Sequence, residues 1–248
     1  MTTLPRYYIG FAALLLALMT MPLPAFSQDL SISLGDDTSL SARAMQLIAL
    51  MTVLSLAPGI AIMITCFPFV VTVLSILRQA IGLQSAPPNM LIVSLALFLT
   101  YFVMDPVFTA SWEVGLKPLS DGVLTIEEAI PKALEPFRGF MAARLDLDTF
   151  QILAELRPDQ AGDGAPNEAS LSLLIPSFML SEIERAFQIG FLVFLPFLII
   201  DLVVAAVLMS MGMMMVPPAI VSLPFKLAFF VVADGWSLIS SALVRSYM

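Results

Sequence analysis

The chain has no histidine and a single cysteine, Cys66, among 248 residues. Without histidine there is no Ser-His or Cys-His catalytic pair and no His-based zinc site, and one cysteine cannot close a disulfide within the chain. Charge is scarce too. Asp, Glu, Lys and Arg make up 12% of residues, against about a quarter in a soluble domain. Acids outnumber bases by 19 to 11, and the net charge of −8 argues against a nucleic-acid partner. No Gly-x-x-x-x-Gly-Lys-Ser/Thr stretch occurs, so no phosphate-binding loop is encoded. No repeat with a period of 20–50 residues is apparent. The expectation is a non-enzymatic protein without metal or other cofactor.

What is abundant is apolar surface: 59% of residues are hydrophobic. The opening segment, residues 1–27, has a lone Arg6, an apolar stretch from Tyr7 to Met21, and Ala25-Phe26-Ser27. That pattern reads as a secretory signal peptide cleaved before Gln28, the alternative being an uncleaved first helix. Residues 28–43 form a polar, acidic lead-in. Ala44 to Leu77 then runs without a charge, longer than the ~20 residues that span a bilayer. Pro58-Gly59 and Pro68 predict a broken pair of helices there. Cys66 lies inside this run and reads as a small buried hydrophobe. A connector with Pro87-Pro88 follows. A second run from Met90 to Met104 is expected to stop at Asp105-Pro106. The third run covers about Ala186 to Leu208, and the fourth about Ala219 to Val244.

Residues 107–175 differ in kind, because most of the charge collects there. Thr125-x-x-Glu128 has the pattern of a capping box. Ile126, Ala129, Ile130, Ala133 and Leu134 follow at the spacing of one helix face, with a kink expected at Pro131. The expected fold is therefore an all-α membrane protein with about four apolar helical segments, one of them broken by proline. Residues 107–175 form a helical insertion outside the membrane. A cleaved signal peptide would send the first run inward, leaving the insertion outside and the turn between runs three and four in the cytoplasm; only Arg78 tests this by charge.

Several charged residues interrupt the apolar runs. Ser181-x-x-Glu184 reads as a capping box opening the third run, which would put Glu182 and Glu184 in a first helical turn favoured by the helix dipole. Glu182 and Arg185 stand three apart and can pair. Asp201 lies mid-run, where an acid costs ~3 kcal/mol. Sixteen Phe, Leu, Ile and Val residues in the run offset that cost at roughly 0.3–0.6 kcal/mol each. Insertion stays possible, but Asp201 needs a polar partner. Lys226 is best placed if runs three and four form a hairpin, with Asp234, eight residues on, competing for Lys226. These residues read either as a structural pair or as an ion path. An intramembrane aspartyl protease is disfavoured, because no Gly-x-Gly-Asp surrounds a second aspartate.

Between runs three and four lies Met-Ser-Met-Gly-Met-Met-Met-Val-Pro-Pro, residues 209–218. It holds five of the chain's 16 methionines, where an even spread would put fewer than one. Unbranched, polarizable methionine conforms to irregular partners.

Residues 176–191, 196–218 and 223–236, with 77–89 and 95–107, closely resemble the FliP family of type III export-gate proteins, which includes the SctR proteins of virulence systems. The resemblance runs from about residue 45 to the carboxyl end, so that 28–248 is expected to form one export-gate domain. The signal peptide and length resemble the flagellar branch. The resemblance implies an all-helical subunit of a pentameric ring, built with FliQ- and FliR-like proteins and helped by a FliO-like one. FlhA- and FlhB-like proteins are implied neighbours in the bacterial inner membrane at the flagellar basal body. Much of the assembly would stand on the periplasmic side, so apolar runs need not simply span lipid. The implied function is the portal through which unfolded flagellar proteins are exported. Met209, Met211, Met213, Met214 and Met215 would then form a gasket, on a loop shaped by Gly212, Pro217 and Pro218. Glu182, Glu184, Arg185, Asp201, Lys226 and Asp234 would serve as structural or inter-subunit charges. The rival expectation is an ion-coupled small-molecule transporter using Asp201, Lys226 and Asp234. One departure is clear: family members commonly carry Thr-Arg where this chain has Pro68-Phe69.

Overall fold

The computed structural model describes residues 40–83, 86–160, 165–213 and 215–248. The expected signal peptide and most of the acidic lead-in lie outside the described residues. Contacts divide the chain into residues 1–50 and 51–248. The described residues form an all-α structure, with helices α1 (Leu40–Met63), α2 (Phe67–Ile81), α3 (Asn89–Ser111), α4 (Lys117–Ser120) and α5 (Ile126–Arg144). These are followed by α6 (Leu147–Leu156), α7 (Leu171–Ser210), α8 (Pro218–Val232) and α9 (Gly235–Arg245). Among the described residues, three stretches are long and apolar enough to cross a membrane: Ala44–Met63, Asn89–Ser120 and Leu171–Ser210. The α8–α9 pair, bent by 61°, would make a fourth.

The first apolar run does break, but not at Pro58-Gly59, which lie within α1. The break falls at residues 64–66, just before Pro68. Proline is tolerated in the first turn of a helix, where its missing N–H would have no partner. Cys66 is fully buried at this corner, and burial pushes its thiol up to about 12. It stays a neutral thiol at cellular pH and is chemically quiet.

Helix α2 is the hub of the larger core. Phe69, Val70, Val73, Leu74, Leu77 and Ala80 are buried against α3, α7 and the carboxyl-terminal residues. This helix packs tightly on α7 at Gly190, where a Cβ would overlap the side chain of Ile76. A second core gathers Met141, Phe150, Leu174 and Phe178, closing α5 and α6 onto the first half of α7. The insertion is thus a folded helical layer.

Helix caps fix its corners. Thr125 and Glu128 form the expected capping box at the start of α5. Asp146 caps α6 by accepting from the Thr149 N–H at 2.9 Å. These bonds hold the Glu128 and Asp146 carboxyls below their ordinary range. The expected α5 face is only partly buried. Ala129 is buried, whereas Ile126 and Ile130 are exposed. The helix continues through Pro131 and Pro136.

Three expected boundaries are corrected. The second run does not stop at Asp105-Pro106. Helix α3 continues to Ser111 and passes through a π-helical turn, Trp112–Leu116, into α4. Packing on α5 overrides the proline: Phe108 meets Phe137, and the Ser111 hydroxyl donates to the Ala133 carbonyl at 2.7 Å.

Nor does the third run open at Ser181. Helix α7 starts ten residues earlier and has 40 residues, a rod about 60 Å long. That is about twice the ~30 Å of a bilayer's hydrocarbon core, so one helix serves the insertion first and the apolar hairpin second. The Ser181 hydroxyl donates back to Ser177 O and accepts from the Asp146 N–H, both at 2.8 Å. Glu182 and Glu184 therefore lie mid-helix, where the dipole explanation does not apply. The fourth run is interrupted at Ala233-Asp234, where Asp234 takes a left-handed φ of 48°.

Candidate functional site

The second half of α7, the turn 211–217 and α8 form a hairpin. The turn is set by its sequence. Gly212 has φ +73°, a conformation open to glycine and strained for most other residues. The Met213 N–H returns to Leu208 O at 3.0 Å, closing the helix end. Pro217 stands at the cap of α8 and Pro218 at its first position, the place where proline suits a helix start. Met214 lies outside the described residues. Met209, Met211 and Met213 are exposed, and Met215 is 97% exposed. The turn therefore presents flexible apolar side chains that the other described residues leave largely exposed.

One charge cluster braces this hairpin. Lys226 Nζ on α8 donates to Asp201 Oδ2 on α7 at 2.6 Å, and to the Ala80 carbonyl near the end of α2 at 3.2 Å. Ser222 Oγ donates to the other Asp201 oxygen at 2.5 Å. Lys226 thereby joins three helices and places its charge where the α2 dipole favours a cation. Asp234 belongs to the α8–α9 corner and is exposed, so it does not share the Lys226 face. The α8–α9 bend removes it from the helical register that the spacing suggested.

A second cluster lies toward the other end of α7. Glu182 is 0% exposed. It accepts from Arg144 Nε at 3.4 Å and from the Tyr247 hydroxyl. The Arg144 guanidinium sits 4.0 Å from the Tyr247 ring centroid and donates to Ser246 O at 2.6 Å. Burial, and then the Glu182 charge, push the Tyr247 phenol well up, so it stays a donor at any cellular pH. The recorded ion pair of Glu182 is with Arg144, across two helices, and not with Arg185. Glu184 is exposed and accepts from Gln188 Nε2 at 3.1 Å. Phe69 is buried with its ring edge-on to that of Tyr247, the centroids 5.4 Å apart. Arg144 and Tyr247 were missed in the sequence because their partner stands 38 and 65 residues away.

The structure thus defines an all-helical protein with several membrane-capable spans and a methionine turn on a charge-braced hairpin. The FliP family model matches residues 50–243. The chain is 50% identical over 233 residues to the flagellar biosynthetic protein FliP of Caulobacter vibrioides, covering 94% of this chain and 87% of that one. It is 44% identical over 245 residues to the protein of that name from Agrobacterium fabrum, covering 96% and 99%. With that of Bacillus subtilis the identity is 46% over 209 residues, covering 83% and 93%. The chain belongs to the FliP family.

Proposed function

We propose that this chain is a non-enzymatic subunit of the flagellar type III export gate, acting as part of the pore for unfolded flagellar proteins. It would form a ring of five copies with FliQ- and FliR-like subunits in the bacterial inner membrane. FliO-, FlhA- and FlhB-like proteins would be its further partners, and part of the assembly would rise into the periplasm. The observation that carries the reading is the exposed methionine turn held out on a braced hairpin.

A secretion pore must pass side chains of many sizes and still hold back ions. Copies of this turn around a common axis would form stacked apolar rings from Met209, Met211, Met213, Met214 and Met215. Flexible thioethers conform to whatever passes, and an apolar constriction closes to ions by dewetting. Gly212, Pro217 and Pro218 would fix the turn that presents them. Asp201 and Lys226 would keep the hairpin in register. Their oxygens and ammonium are already engaged with each other, Ser222 and Ala80, which favours a brace over an ion path. Glu182, Glu184, Arg185 and Asp234 would set helix packing or subunit contacts.

Gentle extraction of the complex and measurement of its mass tests the assembly. The expected result is a ring of five copies retaining two smaller membrane proteins. A monomer or dimer active alone in liposomes would support the transporter reading instead.

A further inference from the structure

The two cores of the subunit are joined through one aromatic stack. Tyr247, just beyond the end of α9, lies edge-on to Phe69 of α2 and stacked on Phe140 of α5, with ring centroids 5.4 and 6.0 Å away. Phe140 in turn meets Phe178 of α7 edge-on at 5.8 Å. Phe69 belongs to the larger core and Phe178 to the second, so the tyrosine ring links them. Its polar end is tied as well. The hydroxyl donates to the buried Glu182, and the neighbouring Ser246 carbonyl accepts from Arg144 Nη1 at 2.6 Å.

Arg144 closes the link from the other side. It ends α5, and its guanidinium meets Glu182 of α7, the Ser246 carbonyl and the Tyr247 ring at once. Close by, the Asp146 N–H donates to Ser181 Oγ of α7. The α5–α6 corner is thus pinned to α7 and to residues 246–247 at one place. These contacts depend on one another. Arg144 Nη2 is buried and has no hydrogen-bond partner among the described residues. Withdrawal of the Ser246 carbonyl would leave a second guanidinium nitrogen unmet, and Glu182 would lose its hydroxyl donor. Buried polar groups without partners are costly, so Arg144 would turn to water and take the corner with it.

Helix α9 is built for such a movement. Only Ala233 and Asp234 separate it from α8, at a bend of 61°. Asp234 has φ 48°, a left-handed conformation that aspartate adopts more readily than most residues. Gly235 and Leu243 are the buried residues of α9, whereas Trp236 and Leu238 are exposed. The brace of the methionine hairpin lies on the other side of the bend. Ser222 and Lys226 belong to α8 and bond to Asp201 and the Ala80 carbonyl.

We propose that α9, with Ser246 and Tyr247, is a releasable strap. It swings about Ala233–Asp234, and the α5–α6 corner opens and closes with it as one unit while the methionine hairpin stays braced. Proteins open locally in cooperative units. This unit is set by packing and not by sequence neighbourhood, since Arg144 and Ser246 stand 102 residues apart.

The test is hydrogen exchange read by mass spectrometry on the gently extracted full complex. In the unchanged protein under rising denaturant, residues 236–246 and 138–150 should share one opening transition, and residues 218–230 should open in another. Tyr247→Phe keeps the ring and removes the hydroxyl. It should speed exchange in both of the first two stretches by a common factor of about ten, the loss expected for one hydrogen bond to a charged acceptor, and leave 218–230 nearly unchanged. Ser222→Ala should do the reverse, speeding 218–230 alone. The measurement on the unchanged protein decides the matter even if a variant fails to assemble. Separate transitions for 236–246 and 138–150, faster exchange in only one of them in Tyr247→Phe, equal acceleration of all three stretches, or no acceleration at all would overturn the proposal.

Discussion

Glu182 and Asp201 stand on the same helix, nineteen residues and thus about 28 Å apart, and each is paired with a cation from another helix. Their surroundings differ. Glu182 is sealed among Tyr247 and Arg144, with Phe69 and Phe140 packed on the tyrosine ring, in the half of α7 that the insertion covers. Asp201 lies in the apolar half, and its side chain keeps 29% exposure while that of Lys226 keeps 7%. The first cluster gathers the carboxyl-terminal residues, α5 and α7 around a closed core. The second spans three helices at the root of a turn whose described methionines stay exposed. One helix therefore carries a point of rigidity in the folded layer and a second point that supports an open, adaptable tip.

The comparison can be broken at either end. Glu182→Ala should have the largest effect, because it strands a mostly buried guanidinium: about 3 kcal/mol of stability, read from unfolding of the full chain in detergent. Glu182→Gln should lose less, since its amide oxygen can still accept from Tyr247. At the other cluster, Lys226→Ala should cost about 2–3 kcal/mol and Asp201→Asn less, because Lys226 also holds the Ala80 carbonyl. A double-mutant cycle on Asp201 and Lys226 should show a coupling of about 1 kcal/mol or more; additive effects would deny the direct pair. If Asp201→Lys combined with Lys226→Asp is no better than either single change, the pair is not the brace described. Ser222→Ala removes one hydrogen bond to Asp201 and should cost about 1 kcal/mol.

The smallest effect belongs to the helix caps. Glu128 and Asp146 have carboxyls lowered in the folded chain from ordinary values of 4.5 and 3.8. Their contribution is therefore fully present above those values and is lost as pH falls through the lower folded ones. Glu128→Gln and Asp146→Asn should flatten that part of the acid dependence, seen as a smaller difference in α5 and α6 hydrogen exchange between pH 6 and pH 3.

Much of this architecture was legible locally. The chain's hydrophobic runs, the broken first run and the α5 capping box depend on neighbours within a few residues. Hairpin logic pointed from Asp201 to Lys226, and the two lie 2.6 Å apart. What escaped was long-range. Ser181-x-x-Glu184 carries the same letters as a helix start, but a serine inside a helix bonds back to the carbonyl four residues earlier, as Ser181 does. Pro106 resembled a stop because the packing of Phe108 and Ser111 against α5 is invisible in the run itself. The position of Asp234 was misjudged because an unbroken periodicity was assumed across a bend of 61°. Glu182 showed no sign of burial, because Arg144 and Tyr247 come from distant stretches.

The methionine turn is where the functional account is most exposed to test. The decisive measurement is the ion conductance of purified complexes in which Met213, Met214 and Met215 are replaced by alanine, beside the unchanged protein. The account predicts that these complexes assemble as before but leak small ions, because shorter side chains no longer close the constriction. If fully assembled mutant complexes conduct no more than the unchanged protein, the methionines are not the seal.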